Sequence, residues 1–158
     1  MNPLLTYRYP ILLISAEIFG LLSLILIGLI FDKNHYGPTF EYDWTKQPFS
    51  YHPLMMTIGL LFSYGNAIIL YRTLKHVPKY GVKLAHAICL LGSLVFTIVG
   101  FVAIIRQKNL GNASHFMTFH SWLGLTTIIL FVLQWICGFV CFLVPQMPIE
   151  IRKLYMPR

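Results

Sequence analysis

Three histidines recur at a fixed spacing in an apolar chain, which suggests that they bind a metal or a cofactor. His52, His86 and His120 lie 34 residues apart, and each opens a long apolar stretch. If each stretch crosses a bilayer, His52 and His120 lie at one face and His86 at the other. An imidazole at membrane depth is costly unless it has a partner. Paired imidazoles in a helix bundle are a typical setting for heme iron, which often takes axial histidine ligands.

The elements that must position these histidines are predicted to be membrane helices. The 158-residue chain is 57% hydrophobic and only 11% charged, whereas a soluble domain has about 25% charged residues. A helix of about 20 apolar residues crosses the hydrocarbon core. We therefore predict an all-α membrane protein, a single domain over residues 1–158 that forms a transmembrane helix bundle. Its four predicted spans are residues 10–31, 52–71, 84–105 and 119–144.

The distribution of charge predicts how the spans are oriented. Loop 72–83 and tail 145–158 are rich in lysine and arginine. Cytosolic loops carry an excess of these residues, so both ends of the chain and loop 72–83 are predicted to be cytosolic. Loops 32–51 and 106–118 then face a lumen or the exterior, and an N-glycosylation sequon at Asn112 agrees with this. The same distribution explains the net charge of +7, so nucleic acid is not expected as a partner.

Each candidate residue also has a simpler interpretation. A single membrane histidine often only hydrogen-bonds a neighbouring helix, whereas two at equal depth with a third at the other face favour a cofactor. Zinc fits poorly because no Cys, Asp or Glu clusters with these histidines. His35 and His76 lie in loops and are expected to be solvated, and His115 is either solvated or a substrate contact. Cys137 and Cys141 share a helix face, but their own segment offers no positive charge to favour a thiolate, so core packing is expected.

Four segments around the histidines carry a distinctive set of motifs. They read FSYHPLMM at 49–56, KLAH at 83–86, FHSWLG at 119–124 and QWICGF at 134–139. Together with Arg152, Tyr155 and Pro157, these motifs resemble those of the cytochrome b-561 family, the ascorbate-dependent transmembrane electron carriers. The resemblance covers nearly the whole chain from residue 49.

The resemblance implies a fold of six helices that holds two b-type hemes, with four core helices each giving one histidine. It implies that His52 and His120 ligate the outer heme, so both ligands of that heme are present in this chain. His86 would be one ligand of the cytosolic heme. The family's fourth ligand follows a segment like Tyr155–Arg158, where this sequence ends. We therefore expect either a truncated sequence or a natural short isoform.

The resemblance also implies a function. Electrons would pass from cytosolic ascorbate through both hemes to a luminal or extracellular acceptor, either a ferric chelate or monodehydroascorbate. Ascorbate is an anion, so cations near His86 are expected to bind it. The simpler explanation for each of these cations is the general excess of lysine and arginine in cytosolic loops. The cationic residues expected to bind ascorbate are Arg72, Lys79, Lys83 and Arg152. Lys108 and His115 are expected at the outer acceptor site, where this chain departs from the family's pattern.

Two other functions stay open from the sequence. A short form would hold one heme and regulate a full-length partner without complete electron transfer. A transporter or channel subunit would use the histidines as a polar path and would bind no heme. The resemblance implies that the protein lies in an endomembrane (vesicle, lysosome or vacuole) or the plasma membrane, and that it forms a homodimer, as many members do. Phe62 and Phe96 are candidates for aromatics between the two hemes, with core packing as the simpler role, and Glu17 has no assigned role.

Overall fold

The computed structural model describes residues 3–31 and 41–143, with side chains from residue 9 onwards. Within these ranges four helices are long and apolar enough to cross a membrane, and there is no strand. The prediction of an all-α bundle with four spans is confirmed, while the assignment of residues 1–158 to one domain stays a prediction. His35, Arg152 and the end of the fourth predicted span lie outside the described residues. The helices are α1 (Pro3–Ile30), α2 (Pro48–Thr73), α3 (Lys79–Leu110) and α4 (Phe119–Phe142).

Local sequence signals explain where the helices begin. Pro48 opens α2 in its first turn, where the missing N–H of proline is harmless. Thr118 caps α4, since its side-chain oxygen accepts a hydrogen bond from the backbone N–H of Ser121 at 3.2 Å. Helix α3 has 32 residues, and at 1.5 Å per residue it is about 48 Å long. It therefore extends past a hydrocarbon core of about 30 Å and carries the lysines near its ends towards water.

Helix α2 is not uniform along its length. It begins with a 3-10 turn, Pro48–Ser50, and continues as an α-helix over Tyr51–Met56. The next seven residues, Thr57–Ser63, form a π-helix, and the α-helix resumes over Tyr64–Thr73. A π turn closes i→i+5 hydrogen bonds and is often found at functional sites. Neither composition nor periodicity predicts this segment.

Small residues allow α2 and α3 to approach closely. A Cβ added at Gly59 would lie 2.8 Å from the backbone oxygen of Ser93 and 2.8 Å from the Thr97 hydroxyl. The buried Ser93 hydroxyl donates to the Gly59 carbonyl at 2.6 Å. Close backbone approach through small residues and interhelical hydrogen bonds is how membrane helices associate, because lipid supplies no hydrophobic driving force between them.

The remaining helices pack on this central pair. Helix α4 packs against α3, and α1 packs against α2. A small buried cluster of Ala67, Leu90, Leu94 and Phe131 joins α2, α3 and α4. Most other large apolar side chains are exposed, as expected for a bundle whose outer surface meets lipid.

Helix α1 is attached to α2 by polar side chains as well as by packing. The Asn66 amide of α2 donates to the Glu17 carboxylate of α1 at 3.5 Å. Nearer the predicted cytosolic end, the Tyr9 and Thr73 hydroxyls lie 3.0 Å apart. The Arg72 guanidinium lies 4.7 Å from the centre of the Tyr9 ring. Glu17 therefore has a partner on the neighbouring helix, which explains how an acid is accommodated inside a span.

Candidate functional site

Two cavities lie near opposite ends of the bundle formed by α2, α3 and α4. We name them the outer cavity and the inner cavity, after the predicted orientation. Their volumes are about 490 Å³ and 560 Å³, within the range of about 300–1,000 Å³ typical of small-molecule sites. The outer cavity is lined by His52, Met56, Leu60, Phe101, Lys108, Phe116, His120, Gly124 and Thr127, among others. The inner cavity is lined by Tyr71, Lys83, His86, Leu90, Gln134, Trp135, Cys137, Gly138 and Cys141, among others.

The outer cavity brings together two of the predicted histidines. The Nδ1 atom of His52 lies 2.9 Å from the Gly100 carbonyl oxygen of α3. A carbonyl only accepts, so Nδ1 carries the proton and donates it, which leaves a lone pair on Nε2. The ring centres of His52 and His120 lie 6.3 Å apart, and the two rings are perpendicular.

This separation can be compared with what a shared metal requires. A metal about 2.0–2.1 Å from each of two opposed imidazole nitrogens places the ring centres roughly 6.2 Å apart. The observed 6.3 Å between the ring centres is close to this separation. Metal-binding histidines commonly donate their other N–H to a carbonyl, as His52 does to Gly100, because this fixes the tautomer and the ring orientation.

The inner cavity contains the third predicted histidine in a matching environment. The Nδ1 atom of His86 lies 2.8 Å from the Ala67 carbonyl oxygen of α2. By the same argument the proton is on Nδ1 and the lone pair is on Nε2. The Tyr71 ring lies beside His86, with the ring centres 5.1 Å apart. Among the described residues, no second histidine lines this cavity.

Helix α4 leaves room for a flat group in both cavities. Gly124 lines the outer cavity and Gly138 the inner one, and a Cβ added at either meets nothing within 4 Å. A planar macrocycle beside each histidine needs open space of this kind, so the residues present fit heme. Four small residues lie four or seven positions after one of these histidines in the sequence, and they divide into two groups. Thr127 accompanies Gly124 at the outer cavity, whereas Gly59 and Ser93 pack at the contact between α2 and α3.

A pair of aromatic rings separates the two cavities. The Tyr64 and Phe131 rings are perpendicular, with centres 5.2 Å apart. Phe131 is buried, and on α4 it lies one turn after Thr127 of the outer cavity and one turn before Trp135 of the inner cavity. Sequence reasoning missed this pair because an aromatic residue inside an apolar span carries no distinguishing signal.

Phe62 and Phe96, the aromatics predicted as candidates between the two hemes, lie elsewhere. Phe62 contacts α1, where its ring would be 2.8 Å from a Cβ added at Gly20. Phe96 is exposed on the outer surface of α3. Neither lines either cavity, so packing against a helix or lipid describes both residues.

The predicted ascorbate residues are not all in one place. Lys83 lines the inner cavity, one turn before His86. Arg72 lies over the Tyr9 ring of α1 instead, and Lys79 is exposed at the start of α3. Arg152 lies outside the described residues. Tyr71, for which the motifs predicted no role, lines the inner cavity.

The structure adds a cation to the surroundings of two cysteines. Cys137 and Cys141 line the inner cavity together with Lys83 of α3, although their own helix segment offers no positive charge. The prediction that both thiols pack in the core is wrong for Cys137, which is exposed, and Cys141 is partly buried at the cavity wall. Within residues 3–31 and 41–143, no three or more His, Cys, Asp or Glu side chains form a group that would hold a metal ion.

The loop before α4 is held in a defined conformation over the outer cavity. Lys108 lines the cavity, and its ammonium group donates to the Ser114 carbonyl at 2.9 Å. Nε2 of His115 lies 2.8 Å from the Asn109 side-chain oxygen. Phe116 lines the cavity with φ of 54°, which is unusual for a bulky residue. His115 does not line the cavity, so it is placed to hold the loop that carries Phe116. Asn112 of the sequon is exposed.

Comparisons with known proteins agree with these motifs. The family model described as eukaryotic cytochrome b561 matches residues 51–158. The lysosomal membrane ascorbate-dependent ferrireductase of Homo sapiens is 34% identical over 147 residues, which cover 91% of this chain and 61% of the relative. The corresponding protein of Danio rerio is 37% identical over 125 residues, or 77% of this chain and 50% of the relative. The plasma membrane ascorbate-dependent reductase of Rattus norvegicus is 35% identical over 149 residues, or 92% and 51%. The chain thus spans about half to three fifths of the length of these relatives.

Proposed function

Because the chain belongs to the eukaryotic cytochrome b561 family, an integral membrane family that uses heme b, we propose that it carries electrons across a membrane from ascorbate. The observation that carries this proposal is the presence of two cavities near opposite ends of one bundle. In each cavity a histidine has its Nδ1–H committed to a backbone carbonyl of the neighbouring helix. The names of the relatives, ascorbate-dependent reductase and ferrireductase, support the electron donor.

We propose His52 and His120 as the two iron ligands of an outer heme and His86 as a ligand of an inner heme. Heme b, when bound, supplies one-electron chemistry through its iron. The protein's own contribution is to hold the imidazoles. The Gly100 and Ala67 carbonyls fix the orientation of His52 and His86, and a hydrogen bond of this kind also raises the basicity of the ligating nitrogen.

The inner cavity is proposed as the ascorbate site, facing the cytosol. Ascorbate is an anion, and Lys83 is the cation that lines this cavity next to His86. Arg72, Lys79 and Arg152 are proposed to raise the local concentration of the anion through their combined positive potential, which does not require direct contact. Proton release accompanies ascorbate oxidation, and the cytosolic opening allows that proton to leave to water.

The outer cavity is proposed as the site that delivers electrons to the acceptor, a ferric chelate or monodehydroascorbate. Both candidates are anions, so the positive charge of Lys108, a residue that lines this cavity, suits either. His115 is proposed to act by positioning, since its hydrogen bond to Asn109 holds the loop that carries Phe116 at the cavity.

Vesicles test this function directly. The complete protein is reconstituted with ascorbate on one side and ferric citrate on the other, and heme absorbance and ferrous iron are followed. We expect ascorbate to reduce the heme and ferrous iron to form on the opposite side. His120→Ala should abolish the outer heme and the ferrous product, with the loop variant His76→Ala as the control.

Three results would reject the proposal. Unchanged ferrous iron formation in His120→Ala would exclude the outer site as the exit. A parent protein without heme would favour a transporter or channel subunit. A parent protein that binds one heme but transfers no electrons would favour a regulatory form.

A further inference from the structure

The π-helical segment Thr57–Ser63 lies between two hydrogen bonds that join α2 to α3. At one end His52 of α2 bonds the Gly100 carbonyl of α3. At the other end His86 of α3 bonds the Ala67 carbonyl of α2. The two bonds therefore run in opposite directions between antiparallel helices, and each orients the histidine of one cavity.

The two helices span this common interval with different numbers of residues. Helix α2 advances 15 residues from His52 to Ala67, whereas α3 advances 14 from His86 to Gly100. In a uniform α-helix 14 residues cover about 21 Å, and one surplus residue adds about 1.5 Å and rotates everything beyond it by about 100°. If both helices were uniform α-helices, only one of the two histidine–carbonyl hydrogen bonds could form. The other carbonyl would be rotated away from its histidine.

We propose that the π segment absorbs the surplus residue of α2 and is thereby the element that positions both histidines at once. A turn closed by i→i+5 hydrogen bonds holds one residue more than an α-helical turn. With one residue taken up in this way, the 15-residue interval of α2 matches the 14-residue interval of α3 in both length and rotation. The Gly100 and Ala67 carbonyls then meet His52 and His86 together.

A separate contact keeps the π segment at this level. Gly59, near its start, accepts the Ser93 hydroxyl at 2.6 Å, and a side chain at Gly59 would collide with Ser93 and Thr97. Ser93 and Thr97 are fully buried. The segment is therefore pinned against α3 about midway between the two histidine bonds. The assignment of the histidines as heme ligands rests on the proposed function, whereas the match between the helices does not.

Two single-residue deletions test this inference in the complete heme-loaded protein. Deletion of Leu61, a residue of the π segment that is 59% exposed, leaves 14 residues on α2, which a regular α-helix accommodates. Deletion of Leu91, the matched leucine of α3 that is 43% exposed, leaves 13 residues against 15. Leu61→Ala and Leu91→Ala control for loss of the side chain alone.

Three readouts are used: the heme-to-chain ratio, the EPR g-values of the oxidised protein, which report axial ligand orientation, and the thermal unfolding midpoint. We expect the Leu61 deletion to match the parent in all three. The Leu91 deletion should lose at least one heme per chain, or shift the g-values, and unfold at a lower temperature.

Two outcomes would overturn the inference: a Leu61 deletion that loses heme, shifts the g-values or fails to fold, and equal tolerance of both deletions. A parent protein without heme would reject the proposed function alone. The unfolding midpoints of the two deletions would still decide whether the π segment matches the two helices.

Discussion

The outer and inner cavities use the same device to hold a histidine but differ in what surrounds it. In both, Nδ1 of the histidine bonds a carbonyl of the facing helix, and a glycine of α4 leaves open space beside it. At the outer cavity a second imidazole lies opposite, 6.3 Å away. At the inner cavity the neighbours are instead a phenol and an ammonium group, Tyr71 and Lys83.

The two ends are therefore suited to different tasks, although in the sequence both are marked only by a histidine at the start of an apolar span. The outer end is arranged as a matched pair of imidazoles, which suits a metal held from both sides. The inner end, within residues 3–31 and 41–143, combines one imidazole with a cation, which suits the binding of an anion. Variants that affect one end and spare the other therefore test the comparison.

The largest expected effect is at the outer pair. His120→Ala removes one of two opposed imidazoles, so the outer heme should be lost completely while the inner heme stays bound. The heme-to-chain ratio and the reduced-minus-oxidised spectrum measure this, with His76→Ala as a histidine control outside the cavities. Retention of both heme signals in His120→Ala would show that the pairing of His52 with His120 is wrong.

The second-largest effect is expected from filling the open space on α4, which should remove the heme of one cavity and spare the other. Gly124→Leu places a side chain in the outer cavity and Gly138→Leu does the same in the inner cavity. A clash of about 1–3 kcal/mol lowers affinity about 5- to 150-fold, so each variant should lose the heme of its own cavity selectively. Redox titration of the remaining heme identifies which one was lost.

Gly124→Leu and Gly138→Leu are controls for each other, since the same substitution is made in different cavities. A third variant controls for the substitution itself. Gly65→Leu, on α2 at a position where an added Cβ meets nothing within 4 Å and outside both cavity walls, should leave both hemes in place. If Gly124→Leu and Gly138→Leu weaken the same heme, then the two cavities do not hold separate groups.

Lys83→Ala should have a smaller effect, confined to the inner end. A hydrogen bond to a charged group contributes about 1.5–3 kcal/mol, so its loss should raise the KM for ascorbate roughly tenfold or more with heme content unchanged. Lys79→Ala removes an exposed charge and should change KM much less, because solvent and salt screen it. Steady-state reduction at several ascorbate concentrations and two ionic strengths distinguishes these results. Equal KM values for Lys83→Ala and the parent would remove Lys83 from the proposed site.

The sequence predicted the spans well because their signals are strong and local. The apolar length of the spans and the basic loop 72–83 each follow from composition or spacing. The depth of the three histidines also follows, since a residue's position along a span fixes its level. Their grouping by level could therefore be predicted from spacing alone.

The remaining features could not be predicted because they depend on helix rotation and on contacts between helices. The π segment shifts rotation within α2, and no composition signal marks it. Arg72 and Tyr71 are adjacent in sequence but face different neighbours, with Arg72 over Tyr9 and Tyr71 beside His86. A charge count therefore favoured Arg72 as a cavity residue, whereas helix rotation selects Tyr71.

The smallest expected effect concerns the turn that precedes the outer histidine. Asp43 has a pKa below its ordinary value of 3.8, first because its carboxylate accepts the Thr45 hydroxyl and then because it accepts backbone N–H groups. The Trp44 ring in this turn packs against Tyr51, with the ring centres 5.4 Å apart. Since the folded pKa is depressed, this carboxylate stabilises the turn above its unfolded pKa and stops doing so as pH falls through the folded pKa.

Asp43→Asn should therefore loosen the turn at pH 7 and match the parent below the folded pKa, in the acid range under 3.8. The emission of Trp44 alone, in a Trp122→Phe and Trp135→Phe background, measures this. Lys46→Gln is the control, because its 3.9 Å ion pair with Asp43 has a lysine that is 81% exposed and should contribute little. If the difference between Asp43→Asn and the parent stays the same as pH falls from 7 through the folded pKa, the amide disturbs the turn for a reason other than charge. Because no residue of the turn lines the inner cavity, the inner heme spectrum should not change over this pH range, which makes this the mildest test that the two ends respond separately.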